Sequence, residues 1–267
     1  MPRRGNHVGL LAARNWSYLA MTQRILILGA TSAIAHAYAR LKAKEGAAFV
    51  LAGRRTDMLE ANAADLMARG ASSTALVAAD LADLSAVEAT MAACRAHSAT
   101  FDEVLLAYGM LGDQARAEAD LTQARTLIDV NFTSAALWLL ALVKEAALTP
   151  LTIVVVGSVA GDRGRKTNFI YGAAKGGLER FVEGMQHAHA SGRVRIVLIK
   201  PGFVITPMTD GIANQGGPLW ATAEAVAGDI VKAARSGRPC VYTPWFWWGI
   251  MTTVRNLPRA VFNRLNI

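Results

Sequence analysis

The chain has 267 residues, 53% of them hydrophobic, a formal charge of +8 and two cysteines. That length and apolar content suit one α/β domain with a well-buried core. Cys94 and Cys240 lie far apart without a C-x-x-C or histidine-rich partner, which argues against a disulfide framework or a structural zinc site and fits a reducing, cytoplasmic setting.

Residues 1–21 carry Arg3, Arg4 and Arg14 and no acid, and Arg14 interrupts the apolar run that a signal peptide would need. They are expected to form a loose N-terminal extension, or an over-called start ahead of the first strand. Arg24 to Leu28 then reads as a buried strand, followed by Gly29-Ala-Thr-Ser-Ala-Ile-Ala35 and a helical run to Lys44. A strand, a glycine turn and a helix N-terminus together offer free N–H groups and a positive dipole end to a pyrophosphate. Ala33 and Ala35 stand where glycines are usual, so a plain strand-to-helix turn explains the motif nearly as well. The next strand, Ala48 to Ala52, ends in Gly53-Arg54-Arg55. An acid there would bind a ribose 2′-hydroxyl, whereas arginine accommodates a 2′-phosphate, so NADP(H) is preferred over NAD(H). The alternative is a pair of solvated arginines opening the helix at Asp57.

Ser73 to Ala79 is the third strand, ending at Asp80, which either meets an adenine edge or caps a helix starting near Leu84. Phe101 to Ala107 is the fourth. It leads into Tyr108-Gly109-Met110-Leu111-Gly112, where backbone can approach a cofactor and Tyr108 can wall a ribose. One long helix is expected from about Ala119 to Glu145, with Asn131 in its middle. Asparagine suits a helix interior poorly. Either a local kink frees its carbonyl to hold Lys175 through water, or it sits on a polar patch.

Ile153 to Val156 is a further buried strand that breaks at Gly157. Ser158 follows, with Tyr171 and Lys175 thirteen and seventeen positions beyond it. A helix from Phe169 puts Tyr171 and Lys175 on one face. A phenol titrates near about pH 10, and a nearby ammonium favours the phenolate. With a serine hydroxyl on the same substrate oxygen, the pair could protonate a carbonyl as hydride reaches its carbon, or run the reverse. The bland alternative is a helix face with no chemistry. This helix continues to about His189, and its small residues suit a subunit interface. Val194 to Ile199 is a strand, and Pro201-Gly202-Phe-Val-Ile-Thr206 follows where an open parallel sheet holds its ligand. Ala221 to Ser236 reads as a helix and Pro239 to Tyr242 as the last strand. The alternation implies a doubly wound parallel α/β sheet of Rossmann type, one domain over 22–243.

Residues 244–267 form a short amphipathic C-terminal extension. Trp245 to Val254 is strongly apolar yet shorter than the ~20 residues a spanning helix needs. Arg255, Arg259 and Arg264 follow without an acid, interleaved with Leu257, Val261, Phe262 and Leu265, and Pro258 restarts a short helix. Such a segment suits a membrane headgroup interface; the alternative is packing over the substrate mouth or against a partner subunit. No interleaved aromatic and basic run lies in the body of the chain, so nucleic acid is not an expected partner.

Together, Gly29 to Ala35, Asp80, Asn131, Ser158, Tyr171-x-x-x-Lys175 and Pro201 to Thr206 resemble the short-chain dehydrogenase/reductase family over Arg24 to about Tyr242. The resemblance implies that Ser158 orients the substrate oxygen and Tyr171 is the acid/base. Lys175 would lower the tyrosine pKa and grip the nicotinamide ribose, and Asn131 would continue a proton relay. It implies nucleotide contacts at Gly29, Thr31, Ser32, Ala33, Ile34, Arg54, Arg55, Asp80, Leu81, Ala107, Tyr108, Gly109, Tyr171, Lys175, Pro201, Gly202, Val204 and Thr206. Ala107-Tyr108-Gly109 departs from the usual N-A-G. The family commonly forms dimers and tetramers, so a homodimer or homotetramer is expected.

A narrower resemblance rests on YGMLGDQ, GSVAGDRGRKTNFIYGAAKGGL and VRNLPRAVFNRLNI, which look like the decaprenylphosphoryl-2-keto-pentose reductases. Those enzymes act beside a flavin oxidase to epimerise a lipid-linked ribose to arabinose in cell-wall biosynthesis. This implies an NADPH-dependent reductase of a polyprenyl-phosphate-linked 2-keto-pentose, peripheral at the inner face of the membrane through 245–267. Within Asp162-Arg-Gly-Arg-Lys166, three positive charges could hold a phosphodiester or form a solvated loop. The rival readings are a reductase of a soluble or steroid-like ketone, and a non-catalytic dinucleotide-binding scaffold or sensor.

Overall fold

A computed structural model describes residues 22–145, 149–190, 192–212 and 214–265. The expected extension over 1–21 lies outside the described residues. Seven strands form one sheet: β1 (Arg24–Leu28), β2 (Ala48–Gly53), β3 (Ser73–Ala78), β4 (Glu103–Leu106), β5 (Leu151–Val156), β6 (Val194–Pro201) and β9 (Cys240–Thr243). All neighbours pair in parallel, in the order β3-β2-β1-β4-β5-β6-β9.

Both faces of the sheet are covered, which is why its central strands read as continuous apolar runs rather than alternating ones. Along β1, Ile25 and Ile27 face one apolar cluster, with α1 (Ala33–Ala43), α2 (Thr56–Ala68) and α8 (Ala223–Ser236). Leu26 and Leu28 face the other, with α3 (Val87–His97), α6 (Ser134–Glu145) and α7 (Phe169–Ala188).

The long helix expected over Ala119–Glu145 is divided. Short α4 (Gln114–Ala119) stops at Asp120, whose side chain caps α5 (Leu121–Ile128) by accepting from the Thr122 N–H at 2.8 Å. A π-helical turn over Asp129–Thr133 then joins α5 to α6. The stretch Leu121–Glu145 is long and apolar enough to cross a membrane. Here Trp138, Leu139 and Leu142 of α6 are instead buried against the sheet.

Past β6 the expected loop holds a strand, β7 (Phe203–Ile205), paired in parallel with β8 (Trp220–Thr222). Phe203 stacks on Trp220 at 5.1 Å between ring centroids. The tail forms α9 (Trp247–Asn256) and, with Pro258 at its N-cap, α10 (Arg259–Phe262). Trp247 and Met251 are buried in a small third cluster with Val159, beside Phe203, Tyr242, Ile250 and Val254. Trp245 and Trp248 point outward, 80% and 61% exposed.

Candidate active site

Strand order reverses between β1 and β4, and the crevice outside the strand ends at such a point is where an open α/β sheet takes its ligand. A cleft of about 1300 Å³ opens there. It is lined by all the residues expected to contact nucleotide or substrate: Gly29, Thr31, Ser32, Ala33, Ile34, Arg54, Arg55, Asp80, Leu81, Ala107, Tyr108, Gly109, Asn131, Ser158, Tyr171, Lys175, Pro201, Gly202, Val204 and Thr206. They come from the ends of β1 to β6, from β7, α1 and α7 and from the π-helical turn, so the fold gathers what the sequence spreads over nearly 180 positions.

At the first turn Gly29 has φ +89°, and a Cβ there would lie 2.7 Å from Tyr108 Cβ, so both backbone conformation and space require glycine. Ser32 at the N-cap of α1 makes no side-chain cap bond, which leaves first-turn N–H groups without a side-chain partner where Ser32, Ala33 and Ile34 line the cleft. Asn62 of α2 steadies this turn by donating to the Ala30 carbonyl at 2.9 Å. No sequence signal singled out Asn62, because its partner lies 32 residues away on another element. Arg54 and Arg55 are exposed where β2 ends, and among the described residues neither is in an ion pair. Asp80 accepts from the Ala82 N–H at 3.1 Å, a local turn rather than a helix cap, and α3 begins later, at Val87.

Tyr108 donates to or accepts from Ser134 Oγ at 2.7 Å, and burial holds its phenol well above the ordinary range. Thr206 begins a short 3₁₀ turn, Pro207–Thr209, in which its side chain and that of Thr209 cap each other's backbone.

Ser158 caps the 3₁₀ turn Val159–Asp162, its Oγ accepting from the Ala160 N–H at 3.1 Å. Tyr171 and Lys175 lie one turn apart on α7, with Lys175 Nζ 6.0 Å from the Tyr171 ring centroid. Lys175 is buried and donates to the Val156 carbonyl at 3.1 Å; burial lowers its pKa to about 8. Burial likewise pushes the Tyr171 phenol up, opposed by its hydrogen bond with Ser158 and by the positive charge of Arg165. Arg165, six positions before Tyr171, thus adds a second positive charge that favours the phenolate, while the Lys175 ammonium is bonded at the end of β5.

The π-helical turn explains Asn131. Its buried side chain accepts from the Met110 N–H at 3.2 Å and donates to the Met110 and Leu127 carbonyls at 2.8 and 2.9 Å. A Cβ on Gly109 would fall 2.7 Å from Asn131 Oδ1 and 3.5 Å from Lys175 Nζ, so a glycine backbone fills the gap between them.

Of the basic cluster at 163–166, only one cation is left to face the cleft. Arg163 donates to the Val254, Arg255 and Leu257 carbonyls, with Leu257 at 2.9 Å, and lies 3.7 Å over the Phe262 ring. It therefore caps the C-terminus of α9. Lys166 is exposed, whereas Arg165 lines the cleft. The lining also includes the apolar Met208, Ile212, Leu219, Trp247, Ile250, Met251 and Val254. The tail thus lines part of the cleft, with Trp247 donating to the Leu219 carbonyl at 3.3 Å.

Among the described residues no cluster of His, Cys, Asp and Glu suits a metal ion. A dinucleotide fits the residues present: a glycine turn with open amides, two unpaired arginines at the end of β2 and no carboxylate at Gly53.

Comparison with known proteins agrees with this geometry. Residues 23–216 match the family model described as short chain dehydrogenase. The chain is 38% identical to an uncharacterized oxidoreductase of Mycobacterium tuberculosis, covering 90% of this chain and 96% of that one. It is 33% identical to the sulfoacetaldehyde reductase of Chromohalobacter salexigens, covering 92% and 94%. Among solved structures it is similar to a 3-oxoacyl-[acyl-carrier protein] reductase from Brucella melitensis in complex with NAD (TM-score 0.72, 24% identity, 83% and 95% covered). It is also similar to a short chain dehydrogenase from Burkholderia cenocepacia in complex with NADP (TM-score 0.76, 18% identity, 92% and 98% covered). The chain belongs to the short-chain dehydrogenase family and is an NAD(P)-dependent oxidoreductase.

Proposed function

We propose that the protein is an NADPH-dependent carbonyl reductase whose substrate joins a polar, keto-bearing head to an apolar chain, with a polyprenyl-phosphate-linked 2-keto-pentose as the substrate of best fit. The observation that carries this reading is the two-sided cleft. The polar Ser158 and Tyr171 line the same cleft as the apolar Trp247, Ile250, Met251 and Val254 of α9, which packs against Val159 next to Ser158. Exposed Trp245 and Trp248 extend the same tail outward beside Arg255 and Arg259, a composition suited to a headgroup surface. NADP(H) is favoured over NAD(H) by Arg54 and Arg55, which are free to meet a 2′-phosphate.

The bound nicotinamide supplies or accepts the hydride. Everything else falls to the chain. The hydroxyls of Ser158 and Tyr171 would converge on the substrate oxygen, Ser158 fixing its position and Tyr171 delivering the proton as charge develops there. A phenol kept neutral by burial suits the reductive direction, because it enters the step as an acid. Lys175 would hold the nicotinamide ribose while its ammonium offsets the phenolate left behind, and Asn131 would keep Gly109 and Met110 in place beside it. The Ile250, Met251 and Val254 side chains would exclude water from the reacting carbon.

The test is nucleotide oxidation by the purified protein, with NADPH and NADH compared on a prenylphosphoryl 2-keto-pentose and on its lipid-free sugar. Turnover of the lipid form with NADPH is expected, falling roughly 10²–10⁴-fold in Tyr171→Phe while NADPH still binds. Full turnover by that variant, or equal use of both nucleotides, counts against the assignment. A soluble carbonyl compound, such as a ketone, is the second reading, favoured by the similarity to a sulfoacetaldehyde reductase, named for a soluble aldehyde. Turnover of the lipid-free sugar alone would select it.

A further inference from the structure

Two buried side-chain atoms have no hydrogen-bond partner among the described residues, and both belong to residues that line the cleft, joined by the Asn168 N–H to Arg165 carbonyl bond: Arg165 Nε and Asn168 Oδ1. An unsatisfied buried donor or acceptor carries a desolvation penalty, the more so on a charged group, so one of each lining the same cleft calls for a ligand. The neighbouring charges are otherwise engaged. Asp162, whose field reaches Arg165, is bonded to Lys200 and to the Tyr242 hydroxyl at 3.2 Å, and Arg163 is held by the end of α9. Arg165 is thus the one member of the 162–166 loop with a charge unpaired inside the cleft, and it lies near enough to Tyr171 to act on its phenol.

We infer that Arg165 and Asn168 form an oxyanion subsite, so that the substrate carries a phosphate, sulfonate or similar group within a few bonds of its carbonyl. The guanidinium would donate to the anion, and Asn168 Oδ1 would accept from a hydroxyl beside it. The inference rests on the reductase reading and narrows it: neutral ketones become poor substrates. The anion has two sources, a lipid phosphate running along α9 or a small soluble anion filling the polar end alone.

The experiment titrates the NADP⁺-loaded protein with geranyl phosphate against geraniol, and with 2-hydroxyethanesulfonate against 2-(methylsulfonyl)ethanol. At least one charged probe is expected to bind tenfold or more tightly than its neutral partner, and the pair that shows the margin identifies the source. R165Q should erase the margin, R165K should keep part of it, and NADP⁺ affinity should stay within about twofold in both. N168D, which gives Arg165 an internal carboxylate, should erase it as well and guards against a folding defect peculiar to R165Q. No margin in wild-type protein that binds NADP⁺, or a margin that survives in R165Q, overturns the subsite while leaving the reductase reading standing. Failure of the wild type to bind NADP⁺ overturns both.

Discussion

At the scale of single residues, the site turns on how burial sets the charge of Lys175. Its pKa is lowered to about 8 because an ammonium inside the fold loses hydration that its bond to the Val156 carbonyl replaces only in part. Between that value and the ordinary lysine value of 10.5, the unfolded chain holds a proton that the folded chain has lost. Stability in the absence of nucleotide therefore rises with pH across this window, and below about 8 the group opposes folding. Lys175→Met should remove the rise. Denaturant unfolding of both proteins at about pH 7.5 and 9.5 reads it directly, and the same gain in the variant would show that another group is responsible.

At the scale of elements, the join between β6, β7 and α9 decides what closes the cleft. Gly202 lies under the Trp247 indole, where a Cβ would come within 1.9 Å of Nε1. The ring is 4% exposed and held by Phe203, Val159 and Met251, so it has little room to swing aside. Gly202→Ala should displace α9 and cost about 1–3 kcal/mol by overpacking. The expected readouts are red-shifted tryptophan fluorescence and faster tryptic cleavage at Arg255. An unchanged emission maximum would mean that the tail is held mainly elsewhere, through Arg163.

At the scale of the whole molecule, one buried cluster ties together five separate pieces of chain. Lys200 on β6 is bonded to Asp162 in the turn after Ser158 and to Glu179 of α7 at 2.7 Å. Tyr242 of β9 donates to Asp162, and Arg255 of α9 approaches it at 3.9 Å. Burial pulls the Lys200 pKa down, yet the hydrogen bonds to the two carboxylates outweigh it and the group ends above its ordinary value. Lys200→Met removes the buried cation the two carboxylates share and leaves only the partly exposed Arg180 and Arg255 near them, a loss expected to be about 3–5 kcal/mol. Chemical denaturation measures it. Adding Asp162→Asn and Glu179→Gln should recover most of the stability, and failure to do so would locate the cost in packing instead.

Local chemistry made much of this protein legible from its residues alone. Apolar runs bounded by glycine mark the central strands within a residue or two, because both sheet faces are covered and period and composition act over short distances. The Gly29 turn, the Arg54–Arg55 pair and the Ser158, Tyr171 and Lys175 spacing are equally local, and the parallel sheet brings them to one cleft by its topology. Only the tertiary structure divided the Ala119–Glu145 helix, where Asn131 bridges to Met110 across 21 positions. It alone paired β7 with β8, brought α9 to the wall of the cleft, and separated Arg163, bonded to carbonyls more than 90 residues away, from Arg165, left facing the cleft. These outcomes depend on which distant surface each side chain meets, and hydrophobic periodicity carries no record of that.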